Sequence, residues 1–97
     1  MIKISYTPQV GLPGRRLAYS WAGRVLTATL EPDGTQEQFN FSSLQPGDRV
    51  AEIVPEVLPF SPVVSAEVDS AGDLHVTLLY WYQPGEPDTK SEEVLDG

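Results

Sequence analysis

Residues 16–41 read RLAYSWAGRVLTATLEPDGTQEQFNF, and this stretch decides the fold. Apolar and polar side chains alternate along three short runs, which is the pattern of β-strands with one buried face. Ala22-Gly23 and Pro32-Asp33-Gly34 separate the runs with residues that favour tight turns. The stretch therefore predicts a three-stranded meander, with strands at 16–21, 24–31 and 35–41.

The flanking segments predict more strands. Residues 1–6 alternate in the same way, and residues 63–69 and 74–83 form a second hairpin around the turn at 70–73. Residues 7–14 hold two prolines and two glycines and are predicted to be a loop. We expect a mostly β protein: a small antiparallel sheet, a sandwich or a partly open barrel built from the meander and the second hairpin.

Two segments interrupt this pattern. Residues 49–54 fit either one short helical turn, with apolar side chains at helical spacing, or an irregular extended piece. From residue 84 the composition changes to proline, glycine and charged residues, which is typical of a mobile tail. The sequence therefore predicts one β-rich domain at 1–83 and an acidic flexible tail at 84–97.

Length, charge and composition exclude several classes of protein. A chain of 97 residues suits one small domain, and without cysteine it has neither disulfides nor thiolate metal sites. A net charge of −8 disfavours nucleic acids and anionic membranes as partners. No apolar run is long enough to span a bilayer, and residues 1–6 lack the apolar block of a signal peptide, so we expect a cytosolic protein.

The charge is unevenly distributed. Residues 1–30 contain four basic and no acidic residues, whereas all fourteen acidic residues lie in 31–97, five of them in 84–97. Either the basic hairpin lies beside acidic strands of the same chain, or oppositely charged surfaces meet between copies or between this protein and a partner.

Residues suited to catalysis are scarce. The single histidine, His75, lies in a predicted strand, where a half-exposed structural role accounts for it. One histidine and no cysteine exclude a multi-histidine or thiolate metal site, and the glycines are spaced as turn formers rather than as a phosphate-binding loop. We expect no enzymatic activity, no metal and no cofactor.

The most informative run for function is Leu78-Leu79-Tyr80-Trp81-Tyr82, because both faces of this strand are apolar. Either it is a central strand covered on both sides, or one face contacts a partner. Tyrosine and tryptophan are the usual anchors of protein interfaces. The candidate partner-binding residues are Leu79, Tyr80, Trp81 and Tyr82, extended by Trp21, Tyr19 and Arg24.

Two stretches carry a resemblance to a group of proteins. Residues 23–48 hold Phe39-Asn40-Phe41-Ser42-Ser43-Leu44 before a Pro-Gly-Asp turn, and residues 62–79 end in Leu74-His75-Val76-Thr77-Leu78-Leu79. This order resembles short proteins encoded in bacteriophage and prophage tail modules, whose biochemistry is unassigned. The resemblance implies a role in virion assembly or structure and supplies no catalytic residues.

Three functions follow as hypotheses. The first is a non-enzymatic tail-module protein that binds another tail protein or itself, in the bacterial cytoplasm during assembly or in the virion. The second is a small acidic inhibitor that mimics nucleic acid and blocks a host defence or DNA-binding protein. The third, a stand-alone β-domain with a metabolic ligand, has the least support, because the sequence suggests no convergent polar pocket.

Overall fold

The computed structural model describes residues 1–11, 14–31, 33–50, 58, 60–87 and 90–96. These residues form two open β-sheets, which confirms the mostly β prediction without closing a barrel. One sheet is mixed and has the strand order β5-β6-β7-β1-β8, and the other is antiparallel with the order β2-β3-β4. The strands are β1 (Ile2–Val10), β2 (Arg16–Ala22), β3 (Val25–Glu31), β4 (Thr35–Asn40), β5 (Arg49–Val50), β6 (Val63–Val68), β7 (Leu74–Tyr82) and β8 (Glu93–Leu95).

The predicted meander is confirmed as the three-stranded sheet. Leu26 pairs with Trp21 on β2 and with Phe39 on β4, so the apolar face is continuous across the three strands. Gly23 and Gly34 have φ angles of 59° and 77°, in the left-handed region that side chains rarely adopt. Glycine at these two positions lets both turns close tightly.

The first strand is longer than its prediction. It continues through residues 7–10, which were predicted as loop, and it pairs with β7 in parallel over its whole length. The Met1 carbonyl accepts a hydrogen bond from the Leu74 N–H, and the Gly11 N–H donates a hydrogen bond to the Tyr82 carbonyl. Odd-numbered residues of the first strand therefore direct their backbone N–H and C=O groups toward β7. Pro8 is even-numbered, so its backbone nitrogen, which carries no hydrogen, faces the opposite edge of the strand. On that edge β8 pairs only with residues 2–4.

The middle segment follows the extended one of its two predicted alternatives at residues 49–50, whereas the tail departs from its prediction. Arg49 and Val50 form a short strand against Glu67 and Ala66 instead of starting a helical turn, and residues 51–54 lie outside the described residues. The predicted flexible tail contributes β8, which lies antiparallel to β1. Alternation over three residues is too short to identify such a strand, and its partner is about 90 residues earlier in the chain.

One apolar cluster joins the two sheets. Ile2, Ile4, Leu26, Leu74 and Leu78 are fully or almost fully buried, and each such side chain contributes about 1.5–3 kcal/mol through removal from water. Residues of both sheets belong to this cluster, so the meander and the mixed sheet share one core. That shared core fixes β2 beside β1 and β7, where the candidate site lies.

Candidate binding cleft

Trp81 is almost fully buried in the core, and it also lines the cleft described below. Its side chain is 8% exposed and stacks on Phe60, with ring centroids 4.6 Å apart. The indole Nε1 donates a 2.8 Å hydrogen bond to Gln9 Oε1. A Cβ atom at Gly11 would lie 3.1 Å from the Trp81 Cβ, so the backbone immediately after β1 packs against this residue.

The other aromatic residues of β7 are partly exposed. Tyr80 and Tyr82 are both half-buried, with ring centroids 6.3 Å apart. Tyr80 donates a hydrogen bond of 3.3 Å to the carbonyl of Pro87, so the start of the tail lies against it. Leu79 is half-buried, and its backbone carbonyl accepts a 2.6 Å hydrogen bond from the Tyr19 hydroxyl.

The structure places Trp21 and Arg24 in different surroundings. Trp21 is half-buried, packs 6.1 Å from the Phe41 ring and lines the same cleft as Tyr80. Arg24 donates a 2.6 Å hydrogen bond to the carbonyl of Gly72, in the turn before β7. That turn is at the opposite end of β7 from Tyr80, so Arg24 is not part of a patch with the aromatic residues.

A cleft of about 330 Å³ lies where β2 faces β1, β7 and the tail. Its volume is within the range of small-molecule and side-chain binding sites. Tyr80, Trp81, Trp21 and Tyr19 were predicted site residues, whereas Tyr6 on β1 and the charged groups were not. The lining residues are Tyr6, Arg16, Leu17, Ala18, Tyr19, Trp21, Tyr80, Trp81, Lys90 and Glu93.

The two tyrosines from β1 and β2 are held in their neutral form. Burial, and then the hydrogen bond that Tyr6 donates to Glu93 Oε1 at 2.9 Å, raise the pKa of Tyr6 well above its ordinary value. Burial also raises the pKa of Tyr19. Both phenols therefore stay protonated at physiological pH and act as hydrogen-bond donors in the cleft wall.

Charged groups at the rim are paired with one another. Arg16 Nη2 lies 2.9 Å from Glu86 Oε2, and this contact raises the pKa of Arg16 and lowers that of Glu86. Lys90 Nζ lies 3.8 Å from Glu93 Oε1. Lys90 Nζ also lies 4.6 Å from the centroid of the Tyr6 ring and 5.8 Å from that of Tyr80, which is cation–π geometry.

His75 has the half-exposed strand position that the sequence predicts. Its side chain is 37% exposed, and Nε2 lies 2.7 Å from Asp69 Oδ2. Asp69 Oδ1 accepts hydrogen bonds from the backbone N–H groups of Ala71 and Asp73. The contact between His75 and Asp69 is therefore part of the turn between β6 and β7. Among the described residues, no group of three or more histidine, cysteine, aspartate or glutamate side chains could hold a metal ion.

Sequence reasoning missed the cleft residues that the tail and the parallel strand bring together. Alternation places Tyr6 on the same face of the first strand as Ile2 and Ile4, and it does not indicate a cleft there. Lys90 and Glu93 lay in the predicted tail. The one signal for their involvement was Lys90, the only base in a segment of acidic residues, three positions before Glu93.

Within the described part of the chain there is no helix with the length and apolar character that crossing a membrane requires. Comparison of the whole chain with family models, with curated proteins and with solved structures finds no match.

Proposed function

We propose that this chain is a non-enzymatic structural or assembly protein of a bacteriophage or prophage tail module, which binds a protein partner in the bacterial cytoplasm. The observation that carries the binding role is the open aromatic cleft between β2 and β7. The tail-module setting rests on the resemblance of residues 23–48 and 62–79 to proteins of such modules. A protein partner suits a cleft whose walls are tyrosine and tryptophan, because these side chains anchor interfaces.

The geometry of the cleft supports insertion of a partner side chain. Tyr19 and Trp21 on β2 face Tyr6 and Tyr80 of the other sheet, and all four are only half-buried. Rigid aromatic walls lose little conformational entropy on binding, since their strands already hold them in place. A side chain that fills the cleft therefore gains contact area on both sheets at once.

The alternative function, an acidic mimic of nucleic acid, is less well supported. Such a mimic needs a row of unpaired carboxylates, whereas Asp33, Glu67 and Glu86 each contact an arginine of the same chain. Asp73 likewise lies 3.1 Å from the amino group of Met1 and 3.7 Å from Lys3 Nζ. These contacts favour the intramolecular interpretation of the charge asymmetry.

The proposal is tested by affinity capture with two matched variants. Tyr80→Leu removes an aromatic wall of the cleft, and Tyr82→Leu makes the same change two residues away, at a side chain that does not line it. Each tagged protein is incubated with two lysates, one from a lysogen whose prophage has been induced and one from a phage-free host. Captured proteins are identified by mass spectrometry.

We expect the wild type and Tyr82→Leu to capture the same tail-module protein and Tyr80→Leu to lose it, with all three folded by circular dichroism. Capture of a host nuclease or DNA-binding protein from phage-free lysate would instead support the inhibitor function. Equal capture by both variants would show that the cleft is not the binding surface.

A further inference from the structure

We infer that the cleft binds a lysine or arginine side chain of the partner, and that Lys90 occupies this site as an internal substitute until the partner arrives. The inference rests on the proposed function, because it specifies what the same cleft recognises. Its basis is the set of groups around the Lys90 ammonium, each of which suits any cationic side chain.

The site is complementary to a cation on three sides. The Tyr6 ring lies 4.6 Å and the Tyr80 ring 5.8 Å from Nζ, and the Glu93 carboxylate lies 3.8 Å away. Aromatic faces attract a cation through their negative quadrupole, and a neighbouring carboxylate adds a direct charge contact. The net charge of −8 also draws cationic segments toward the protein.

The groups that form this site remain in place if Lys90 leaves it. Tyr6 and Tyr80 belong to β1 and β7, and Glu93 belongs to β8, where its backbone is paired with Ile4. The Glu93 carboxylate also accepts the hydrogen bond from the Tyr6 hydroxyl, which holds both groups together. Lys90 precedes β8 and its side chain is 42% exposed, so rotation of one side chain vacates the site.

Lys90 competes with the partner's cationic side chain for the same site, and this competition weakens binding of the partner. A cation–π contact at a partly exposed site contributes about 1 kcal/mol, which corresponds to about a fivefold preference for the occupied state. Removing the Lys90 ammonium should therefore raise the apparent affinity for an added cationic side chain by about fivefold. Removing the Glu93 charge should lower the apparent affinity for the same cationic side chain.

The test is an NMR titration of the full chain with Nα-acetyl-lysine methylamide as the cationic probe. The neutral control probe is the same compound acetylated at Nε. The protein variants are Lys90→Ala and Lys90→Gln, with Lys3→Ala as the control for the loss of one positive charge elsewhere. Glu93→Gln, which keeps an acceptor for Tyr6, is compared with Glu92→Gln.

We expect saturable shifts at Tyr6 and Tyr80, about fivefold tighter binding in both Lys90 variants, and unchanged binding in Lys3→Ala. Binding should weaken in Glu93→Gln but not in Glu92→Gln, and the Nε-acetylated probe should not bind. The inference is overturned if Lys90→Ala shows no saturable binding, or if the neutral probe binds equally well. Cleft-dependent capture of a partner together with either of those results would leave the proposed function standing and reject the cation site alone.

Discussion

The Tyr19 hydroxyl donates a 2.6 Å hydrogen bond to the backbone carbonyl of Leu79, and this bond ties the meander to the mixed sheet. Tyr19 is on β2, and Leu79 is on the central part of the mixed sheet. The same tyrosine lines the cleft, so the bond fixes the spacing of the two walls.

Replacing Tyr19 with phenylalanine should lower the free energy of unfolding by about 1 kcal/mol, because the hydroxyl is lost and the ring remains. Urea denaturation followed by tryptophan fluorescence measures this change. Tyr82→Phe is the matched control and should change stability by less than about 0.5 kcal/mol. Equal effects of the two substitutions would show that the contact between Tyr19 and Leu79 contributes nothing specific.

Trp81→Ser should destabilise the protein by about 3–5 kcal/mol, since it empties a buried site against Phe60. Trp81→Phe keeps a ring there and removes the hydrogen bond to Gln9, so it should cost less. Thermal unfolding of both variants distinguishes packing from surface contact. A stable Trp81→Ser variant that fails only in partner capture would show that Trp81 contributes to binding and not to stability.

Asp69 should make stability depend on pH in the acid range. The contacts from His75, and then from the Asp73 backbone, hold the pKa of Asp69 at about 2, below its ordinary 3.8. The unfolded chain therefore takes up a proton before the folded chain does, and the stabilisation present above pH 3.8 is lost as the pH falls toward about 2.

Asp69→Asn retains an oxygen for the turn hydrogen bonds and removes the charge. Its unfolding midpoint in urea should lie below that of the wild type at pH 6, and the two midpoints should converge near pH 2. Glu92→Gln, at an exposed side chain with no ion pair among the described residues, serves as the control and should show no such convergence. A pH-independent difference for Asp69→Asn would contradict the assignment.

Deleting residues 93–97 should produce self-association, because it uncovers the edge of β1 at Ile2–Ile4. Size-exclusion chromatography over a range of concentrations detects it. Leu95→Ala keeps β8 in place and removes only packing of a half-buried side chain, so that variant should lose stability while staying in the same oligomeric state as the wild type. Association of Leu95→Ala to the same extent would assign the effect to lost packing rather than to the open edge.

Local pattern predicted the meander and the second hairpin closely. The strands around Gly23 and Gly34 begin and end within one or two residues of their predicted bounds. In each case the alternating side chains and the turn residues lie within one continuous stretch of sequence. Neighbouring residues are therefore sufficient to predict where these strands begin and end. The half-exposed position of His75 followed from the same alternation.

The cleft was only partly predictable because its walls come from distant parts of the chain. Tyr80 and Trp21 were identified as aromatic residues in strands, but nothing local indicates that β1 pairs in parallel with β7 and places Tyr6 in the same cleft. Trp81 was predicted to contact a partner because both faces of its strand are apolar and tryptophan anchors interfaces. The strand pattern could not show that Phe60 covers that second face.

The parallel pairing of β1 with β7 also sets the order in which this protein can fold. The meander and the β6–β7 hairpin close short loops, whereas the register Ile2↔Leu74 brings together residues about 70 positions apart. Pairings of that separation slow folding, and during synthesis β1 has no partner until β7 has left the ribosome. Between the synthesis of β1 and that of β7, the first strand is therefore an unpaired, partly apolar segment that a chaperone can bind.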